Sequence, residues 1–400
     1  MSDSTSPWAE SVAPDAQPAA PAEPPAQPDL TPSRPRYDGK LGELYAIYLR
    51  HLVLMLLTLG WSRFWGRTRL RRYLWSHFAV LGDRLEYRGR GLELMIGFVL
   101  VLLMLGVWGG LVWAFWEYVL HEKWIPGLGL IDIFTFSLFF LGVPLAFVGH
   151  YAGLRYRLTR TRWRGIRCDL GGSAWGYGAK ATGLHLANGL CGQLLTPLMS
   201  VLLAQPRIAN ARLGTQRLEF AGRAGDIYGR YVGYYFLNIL AWIVAITVAV
   251  VAITWGGKSL GIAEKDVTEL FTHVTPRTVL ILIGLAFALY ILFGVMILPL
   301  RCWWQAYLWR YLVSRTRAGT VLFASAMSTR QMWGFLVLNY LIVMVTLGLG
   351  WPLVAHRTAR LIAGQLWLYG SPDGASIRQP PDRPPRFGEG LLEMFDVTGV

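Results

Sequence analysis

The sequence predicts an all-α polytopic membrane protein. Of its 400 residues, 54% are hydrophobic and only 16% are charged, whereas soluble chains carry about 25% charged residues. Several apolar runs reach the roughly 20 residues that cross a hydrocarbon core of about 30 Å. This composition excludes a soluble enzyme, a fibrous protein and a wholly disordered chain.

The charged residues indicate the kind of partner. The net charge is +14, and the basic residues lie between apolar runs, interleaved with Trp and Tyr. That pattern is typical of a membrane interface facing anionic lipid, so we expect anionic membrane lipids as partners and no nucleic acid. The cysteines Cys168, Cys191 and Cys302 have no CxxC spacing, which favours a reduced cytoplasmic face with neither disulfide nor metal site.

The two ends of the chain read as tails. Residues 1–36 are rich in Pro and Ala and are expected to be a disordered cytoplasmic tail without a cleavable signal sequence. Residues 371–400 form a second Pro-rich tail. Its last part carries apolar residues at helix-like spacing, either as a frayed end or as a short helix that docks on a partner protein or on the protein's own basic face. These residues are Leu391, Leu392, Met394 and Phe395.

Seven apolar segments follow one another between the tails. They lie at about 41–62, 94–116, 124–149, 178–204, 231–257, 278–300 and 332–355. The first, fourth and seventh differ from the rest because they contain polar residues and are interrupted near Gly60, Pro197 and Pro352. We expect these three to be re-entrant or interfacial, and the other four to form two transmembrane hairpins.

An internal repeat explains the two kinds of segment. At an offset of 155, Arg155-Tyr156 aligns with Arg310-Tyr311, and Pro197-Leu198 aligns with Pro352-Leu353. The sequence is therefore divided into a first membrane repeat at 37–173, a second at 174–331, and a third broken segment at 332–370.

Particular residues of the repeat resemble a known family. Tyr37-Asp-Gly39-Lys-Leu-Gly42-Glu43, then Thr58-Leu59-Gly60 and Phe64-Trp65, look like the YjgN-like bacterial inner-membrane proteins, a family of unknown function. His51 stands where that family usually has Asn, which is present in the third copy as Asn339. The resemblance implies a bacterial inner-membrane location and a membrane fold, and it implies no activity.

Charge predicts the topology. If the three broken segments return to the face they came from, nearly all basic loops share one side with both tails, as the positive-inside rule requires. We therefore expect both termini in the cytoplasm, with only 117–123 and 258–277 facing outward.

The candidate functional residues fall into two groups, and enzyme signatures are missing, so we expect no enzyme and no cofactor. Polar residues in broken segments normally face a cavity or one another, which predicts a polar cavity lined by Arg50, His51, Lys180, His185, Asn188 and Asn339. Basic clusters that could hold lipid phosphate are Arg67, Arg71, Arg72, Arg160, Arg162, Arg315 and Arg317.

Two functions remain open from these patterns. The first is a channel- or transporter-like protein for a small anionic solute or lipid, favoured by polar residues on broken, repeated helices. The second is a non-transporting membrane protein that organises anionic lipid or scaffolds a partner through its tails and basic face. Helix–helix hydrogen bonding, together with snorkelling by Arg50 and Lys180, would account for the polar residues without a cavity.

Overall fold

The computed structural model describes residues 31–115, 117, 130–259, 276–370 and 377–379. Within these residues it contains ten helices and eleven short strands. The helices are α1 Leu41–Leu57, α2 Arg63–Ser76, α3 Gly91–Phe115, α4 Leu130–Thr159, α5 Ala174–Leu190, α6 Thr196–Ala209, α7 Gly225–Ser259, α8 Pro276–Ser314, α9 Thr329–Val345 and α10 Trp351–Gln365. The strands are β1 Pro32–Ser33, β2 Arg36–Tyr37, β3 Phe78–Val80, β4 Asp83–Tyr87, β5 Thr161–Trp163, β6 Ile166–Leu170, β7 Ala211–Leu213, β8 Gln216–Phe220, β9 Thr316–Ala318, β10 Val321–Ser325 and β11 Leu366–Tyr369.

The prediction of an all-α protein is wrong, because the strands form one curled antiparallel sheet of eleven strands. The strands lie in the stretches that sequence analysis read as basic loops. They are two to five residues long and alternate charged with apolar residues, as in Asp83-Arg-Leu-Glu-Tyr87. Such alternation puts the apolar residues on one face of a sheet and the charged ones on the other. Over so few residues, the pattern is too short to stand out in a basic segment.

The architecture is a series of helical hairpins joined by β-hairpins. The helical pairs α1/α2, α3/α4, α5/α6, α7/α8 and α9/α10 alternate with the β-hairpins β3/β4, β5/β6, β7/β8 and β9/β10. Helices of neighbouring pairs contact one another, so the described hairpins rise from the same side of the sheet. The repeat predicted from the sequence consisted of two larger units and a third broken segment.

The series closes on itself. β1 pairs with β11, and β2 pairs with β3. Yet β1 and β2 follow one another directly in a single N-terminal segment. The edges of the sheet therefore meet at residues 32–37, where Arg34 lies 3.4 Å above the ring of Trp367. The helices close in the same way, because α10 packs against α1. The predicted tail at 1–36 thus ends in strand residues, and residues 1–30 lie outside the described part.

The helical pairs are of two lengths. Three are short, with helices of 14 to 17 residues, and the other two are long. In each short pair, two consecutive residues with positive φ separate the two helices. They are Leu59-Gly60, Gly192-Gln193 and Leu347-Gly348. Pro197 and Pro352, which we expected to break their segments, instead occupy the first turn of α6 and α10. Proline suits that turn because its missing N–H would have no helical partner there.

Among the described residues, three stretches of helix are long and apolar enough to cross a membrane. They are Gly91–Phe115, Thr135–Thr159 and Gly225–Val251. Large apolar side chains along them are exposed, as Leu103 and Val107 of α3 show. Exposed apolar surface on this scale fits a membrane protein.

A polar contact joins the two helices of a pair where they leave the sheet. Tyr156 of α4 donates to Glu93 in the first turn of α3 at 2.9 Å, and the Arg160 side chain binds the same carboxylate at 3.0 Å. Tyr311 and Arg315 repeat the arrangement with Asp226 of α7. Each carboxylate also lies at a helix N-terminus, where negative charge is stabilised. These contacts fix the base of both long pairs.

Candidate functional site

A cavity of about 400 Å³ lies between α1, α2 and α10. One wall is apolar, with Leu52 and Met55 from α1 and Leu70 and Leu74 from α2. Trp351 and Ala355 of α10 close it on the side where the ring of helices meets. Its position depends on the closure of the ring, because the first and last helical pairs build it together.

Arginines of α2 line the same cavity. Arg63, Arg67 and Arg71 line the cavity and recur every four residues, so they follow one face of α2. Arg63 begins the helix beside the break, whereas Arg71 lies two turns closer to the sheet and is 4% exposed. The arginines therefore form a basic row that runs from the tip of the short pair toward its base.

The other two short pairs lack this row. α6 begins at Thr196 and α10 at Trp351, in register with Arg63 of α2. The residues that correspond to the three arginines are Thr196, Ser200 and Ala204 in α6, and Trp351, Ala355 and Ala359 in α10. None of them carries a charge. Folding of a short helical pair therefore does not require arginine at these positions.

A histidine completes the polar part of the cavity. His51 of α1 is buried, and its Nε2 lies 3.5 Å from a guanidinium nitrogen of Arg69 on α2. Its Nδ1 has no hydrogen-bond partner among the described residues. Gly66 permits this close approach of the helices, because a Cβ there would lie 3.0 Å from the Cβ of His51.

Asn339 repeats the position of His51 in the last short pair. It is buried and accepts a hydrogen bond at 3.0 Å from Arg357, which lies the same 18 residues further along the chain as Arg69 does from His51. In the middle pair, Leu184 and Leu202 occupy the equivalent positions. The polar pair is therefore shared by the two short pairs that meet at the closure.

The model of the family described as "Bacterial protein of unknown function (DUF898)" matches residues 32–394. The chain belongs to this family. It is the YjgN-like family, so the resemblance found in the sequence is confirmed. No curated protein and no solved structure matches the chain.

In this DUF898 protein, the six residues predicted to line a polar cavity occupy different surroundings. His51 lines the cavity described above, and the other five line neither this cavity nor a second one between α9 and α10. Arg50 and Lys180 are exposed on their helices. His185 is exposed and stacks on Phe147, with ring centroids 4.4 Å apart. That all six share one cavity stays a prediction.

Asn188, the remaining member of the predicted set, has a local role. It is buried and donates to Thr196 Oγ1 at 3.2 Å, which joins the end of α5 to the start of α6. This contact matches the helix–helix hydrogen bonding weighed for such residues in the sequence.

The arginines predicted to bind lipid also separate into two groups. Arg67 and Arg71 line the cavity, whereas Arg72 donates to the backbone oxygen of Gly89 at 3.3 Å. The remaining four lie at or in the sheet: Arg160 and Arg315 bind the carboxylates at the helix bases, Arg317 pairs with Glu219, and Arg162 lies opposite Glu86. The other five arginines line neither this cavity nor the one between α9 and α10.

The closure of the ring places titratable groups beside the cavity. His356 of α10 is buried against Tyr37 of β2, with Nδ1 3.3 Å from the phenol oxygen. Burial, and then the charge of Arg360, lowers the pKa of His356, so the imidazole is neutral at pH 7. Burial raises the pKa of Tyr37 to about 12. Neither group adds charge to the cavity.

The roles of Arg63 and α10 in the cavity were not predicted from the sequence. Arg63 stands alone after the break and was read as part of a basic loop. A helical reading of 63–76 would have shown its four-residue spacing with Arg67 and Arg71. Nothing in the sequence around Trp351 predicts that it lines the cavity, because Trp351 lies beside α1 only when the ring of helices closes.

Proposed function

We propose that this protein is an integral membrane protein that binds an anionic amphiphile, with the acidic headgroup on the basic row of α2. The observation that carries the proposal is the cavity between α1, α2 and α10, which is lined both by three arginines and by apolar residues of all three helices. A free anion gains nothing from the apolar wall. A lipid with an acidic headgroup can contact the arginines through its headgroup and the apolar residues through its acyl chains.

The lengths of the helical pairs support their placement in a bilayer. α3 has 25 residues, or about 37 Å at 1.5 Å per residue, and it exceeds a hydrocarbon core of about 30 Å. α1 has 17 residues, or about 25 Å, which falls short of it. We propose that the long pairs cross the membrane and that the short pairs enter it from the sheet side without crossing.

The tips of the short pairs support this placement. Leu59, Leu190 and Leu347 stand at the three breaks and are 92%, 90% and 93% exposed. Water would disfavour such exposed leucines by about 1.5–3 kcal/mol each relative to an apolar environment. In hydrocarbon the same side chains are stabilised.

The basic row then extends to membrane depth. An arginine at the centre of a bilayer costs at least about 2.5–3.5 kcal/mol, so it normally faces a cavity or a partner. Arg63, close to the inserted tip, lines the cavity, and its guanidinium lies 4.3 Å from the ring centroid of Phe98 on α3. A bound headgroup phosphate would form charge-assisted hydrogen bonds with these guanidinium groups, which are stronger than bonds between neutral groups.

Topology is tested by cysteine labelling in a variant whose Cys168, Cys191 and Cys302 are replaced by Ser or Ala. New cysteines at 120 and 268 should react with an impermeant thiol reagent in intact spheroplasts, whereas cysteines at 215 and 320 should react only after lysis. Positions 215 and 320 lie in turns of the sheet, so this pattern would place the sheet in the cytoplasm. External labelling at 215 would contradict the proposed orientation.

Lipid binding is tested by quantifying anionic phospholipid that remains bound to the purified protein after exchange into detergent. Replacing both Arg63 and Arg67 by Gln should remove about two charge-assisted hydrogen bonds, each worth roughly 1.5–3 kcal/mol, and reduce retention at least tenfold. A variant with both Arg88→Gln and Arg90→Gln, two exposed arginines outside the cavity, removes the same number of charges and serves as the matched control. Equal loss in the control would mean that net charge alone retains lipid.

A further variant separates the cavity from the predicted polar set. Arg50→Gln changes an exposed arginine of α1 and leaves the basic row intact. We expect normal lipid retention. Loss with Arg50→Gln but not with the α2 variant would assign the headgroup to the predicted set instead.

A further inference from the structure

The outer face of the sheet carries a concentration of arginines. Paired residues of adjacent strands lie on the same face, and the register forms rows such as Glu86–Arg162–Arg167 and Asp169–Arg212–Arg217. The residues that alternate with them, such as Leu85 and Trp163, point toward the helices. We call the outward arginines the arginine face: Arg36, Arg84, Arg162, Arg167, Arg212, Arg217 and Arg317.

This face carries an excess of positive charge. Three carboxylates share the rows, Glu86, Asp169 and Glu219, against the seven arginines. Glu219 pairs with Arg317, and Glu86 pairs with Arg88 outside the rows. Arg84 pairs with Asp38, which also lies outside the rows. With Asp38 counted, seven arginines still face four carboxylates. The face points away from the helices and therefore away from the bilayer, so a lipid surface does not reach it.

Part of the chain's own C-terminal segment already lies at the edge of this face. The Arg378 carbonyl accepts a hydrogen bond from Thr215 N at 3.0 Å, and Arg378 N donates to Thr215 Oγ1 at 3.2 Å. Gln379 Oε1 accepts from the backbone N–H of Arg167, a member of the arginine face, at 3.0 Å.

A glycine makes this contact possible. Gly214 has φ +57°, and a Cβ there would approach the Arg378 carbonyl oxygen far more closely than van der Waals contact allows. The β9/β10 turn has the same Gly-Thr sequence at Gly319-Thr320, and Gly319 also has φ +57°. At Gly319 the nearest atoms belong to the Gln216 side chain and not to the tail. The two turns thus differ in whether they hold the tail.

We propose that the acidic stretch 389–396 of this chain binds the arginine face. This stretch contains Glu389, Glu393 and Asp396 and no basic residue. The acids recur at spacings of four and three residues, which places side chains on one face of a helix. Their charge complements that of the arginine face.

The chain is long enough to make this contact. Eight residues lie between Gln379 and Gly388, so these two residues are nine steps apart along the chain and up to about 30 Å apart in space. The distance across the sheet from β5 to β9 is four strand spacings, or about 19 Å. The anchored position of residues 377–379 raises the local concentration of the acidic stretch at the face. The inference is independent of the lipid cavity, which lies among the helices.

The test measures the distance between two spin labels in the full-length protein. Cysteines at Thr320, in the β9/β10 turn, and at Thr398, beyond the acidic stretch, carry the labels in the cysteine-free background. At low salt we expect one narrow distance distribution. In 1 M salt the Debye length falls to about 3 Å, and the distribution should broaden. A broad distribution at low salt would overturn the proposal.

Charge reversal gives the decisive comparison. Replacing Glu389, Glu393 and Asp396 by Lys should lower the ratio of bound to released tail about tenfold. Combining that change with Arg212→Glu and Arg217→Glu should restore the narrow distribution, an outcome that a purely structural role of these arginines would not produce. A narrow distribution that persists after charge reversal of the tail alone would overturn the proposal.

The two glycine turns supply matched variants. Gly214→Ala and Gly319→Ala introduce the same backbone strain at φ +57°, but only Gly214→Ala blocks the position of Arg378. We expect the distribution to broaden with Gly214→Ala and to stay narrow with Gly319→Ala. Equal behaviour of the two would contradict the role of residues 377–379 as the anchor.

Discussion

The contact between Tyr156, Glu93 and Arg160 gives a quantitative prediction about stability. Tyr156→Phe removes one hydrogen bond to a carboxylate without changing the packing of a ring that is 2% exposed. Hydrogen bonds to charged groups contribute about 1.5–3 kcal/mol. Because the Glu93 side chain is 33% exposed and water replaces part of the lost bond, we expect a loss of about 1–2 kcal/mol.

The contacts that each single variant keeps determine how much stability it loses. Arg160 still holds Glu93 in the variant, so the carboxylate is not left without a partner. In Glu93→Gln, the phenol of Tyr156 keeps an acceptor, but Arg160 loses its counter-charge. The double variant should therefore lose less free energy than the sum of the two single losses, by roughly 0.5–1 kcal/mol.

The assay is unfolding of the purified protein in mixed micelles, followed by far-ultraviolet circular dichroism, for the wild type and the three variants. Tyr311→Phe should cost more, because the Tyr311 hydroxyl contacts Asp226 and also accepts a hydrogen bond at 2.6 Å from the backbone N–H of Arg223. Additivity of the two single losses within about 0.3–0.5 kcal/mol would refute the coupling. An unchanged stability of Tyr156→Phe would refute the contact itself.

Two further predictions concern packing and pH. Gly178→Ala should destabilise the protein by about 1–3 kcal/mol, because its Cβ would overlap the Val148 side chain; Gly183→Ala on the same helix, with open space around it, should not destabilise it in a thermal melt. Because the pKa of His356 is lowered in the folded state, the unfolded chain binds more protons, so stability should fall as the pH drops below about 6.5. His356→Gln should make the dependence of stability on pH flatter between about pH 5 and 8. An equally steep dependence in the variant would contradict the role of His356.

Much of the helical framework could be predicted from the sequence, because long apolar runs and the 155-residue offset are strong signals. Arg155-Tyr156 and Arg310-Tyr311 proved to mark equivalent positions near the ends of α4 and α8. The offset of 155 does not hold throughout: Glu93 and Asp226 are separated by 133 residues. The second long pair is longer than the first, and this difference hid the smaller repeating unit.

The sheet and the cavity could not be predicted in the same way. Strands of three to five residues obtain their stability from neighbours that are far away in sequence, as the pairing of Ser33 with Leu368 shows. Arg67 and Arg71 looked like interfacial charge, and Arg63 looked like part of a basic loop. The cavity that they line is completed by Trp351 and Ala355 only when α10 packs against α1. Long-range closure determines both features, and no local pattern encodes it.

Closure of the sheet at residues 32–37 has a consequence for biogenesis. The ribosome makes this segment before the helices and the other strands, and β3 can pair with β2 soon afterwards. β1 must wait for β11, more than 330 residues later, whereas domains otherwise fold progressively as they emerge. Until β11 has been made, β1 therefore remains an unpaired edge strand, which is open to pairing with another chain.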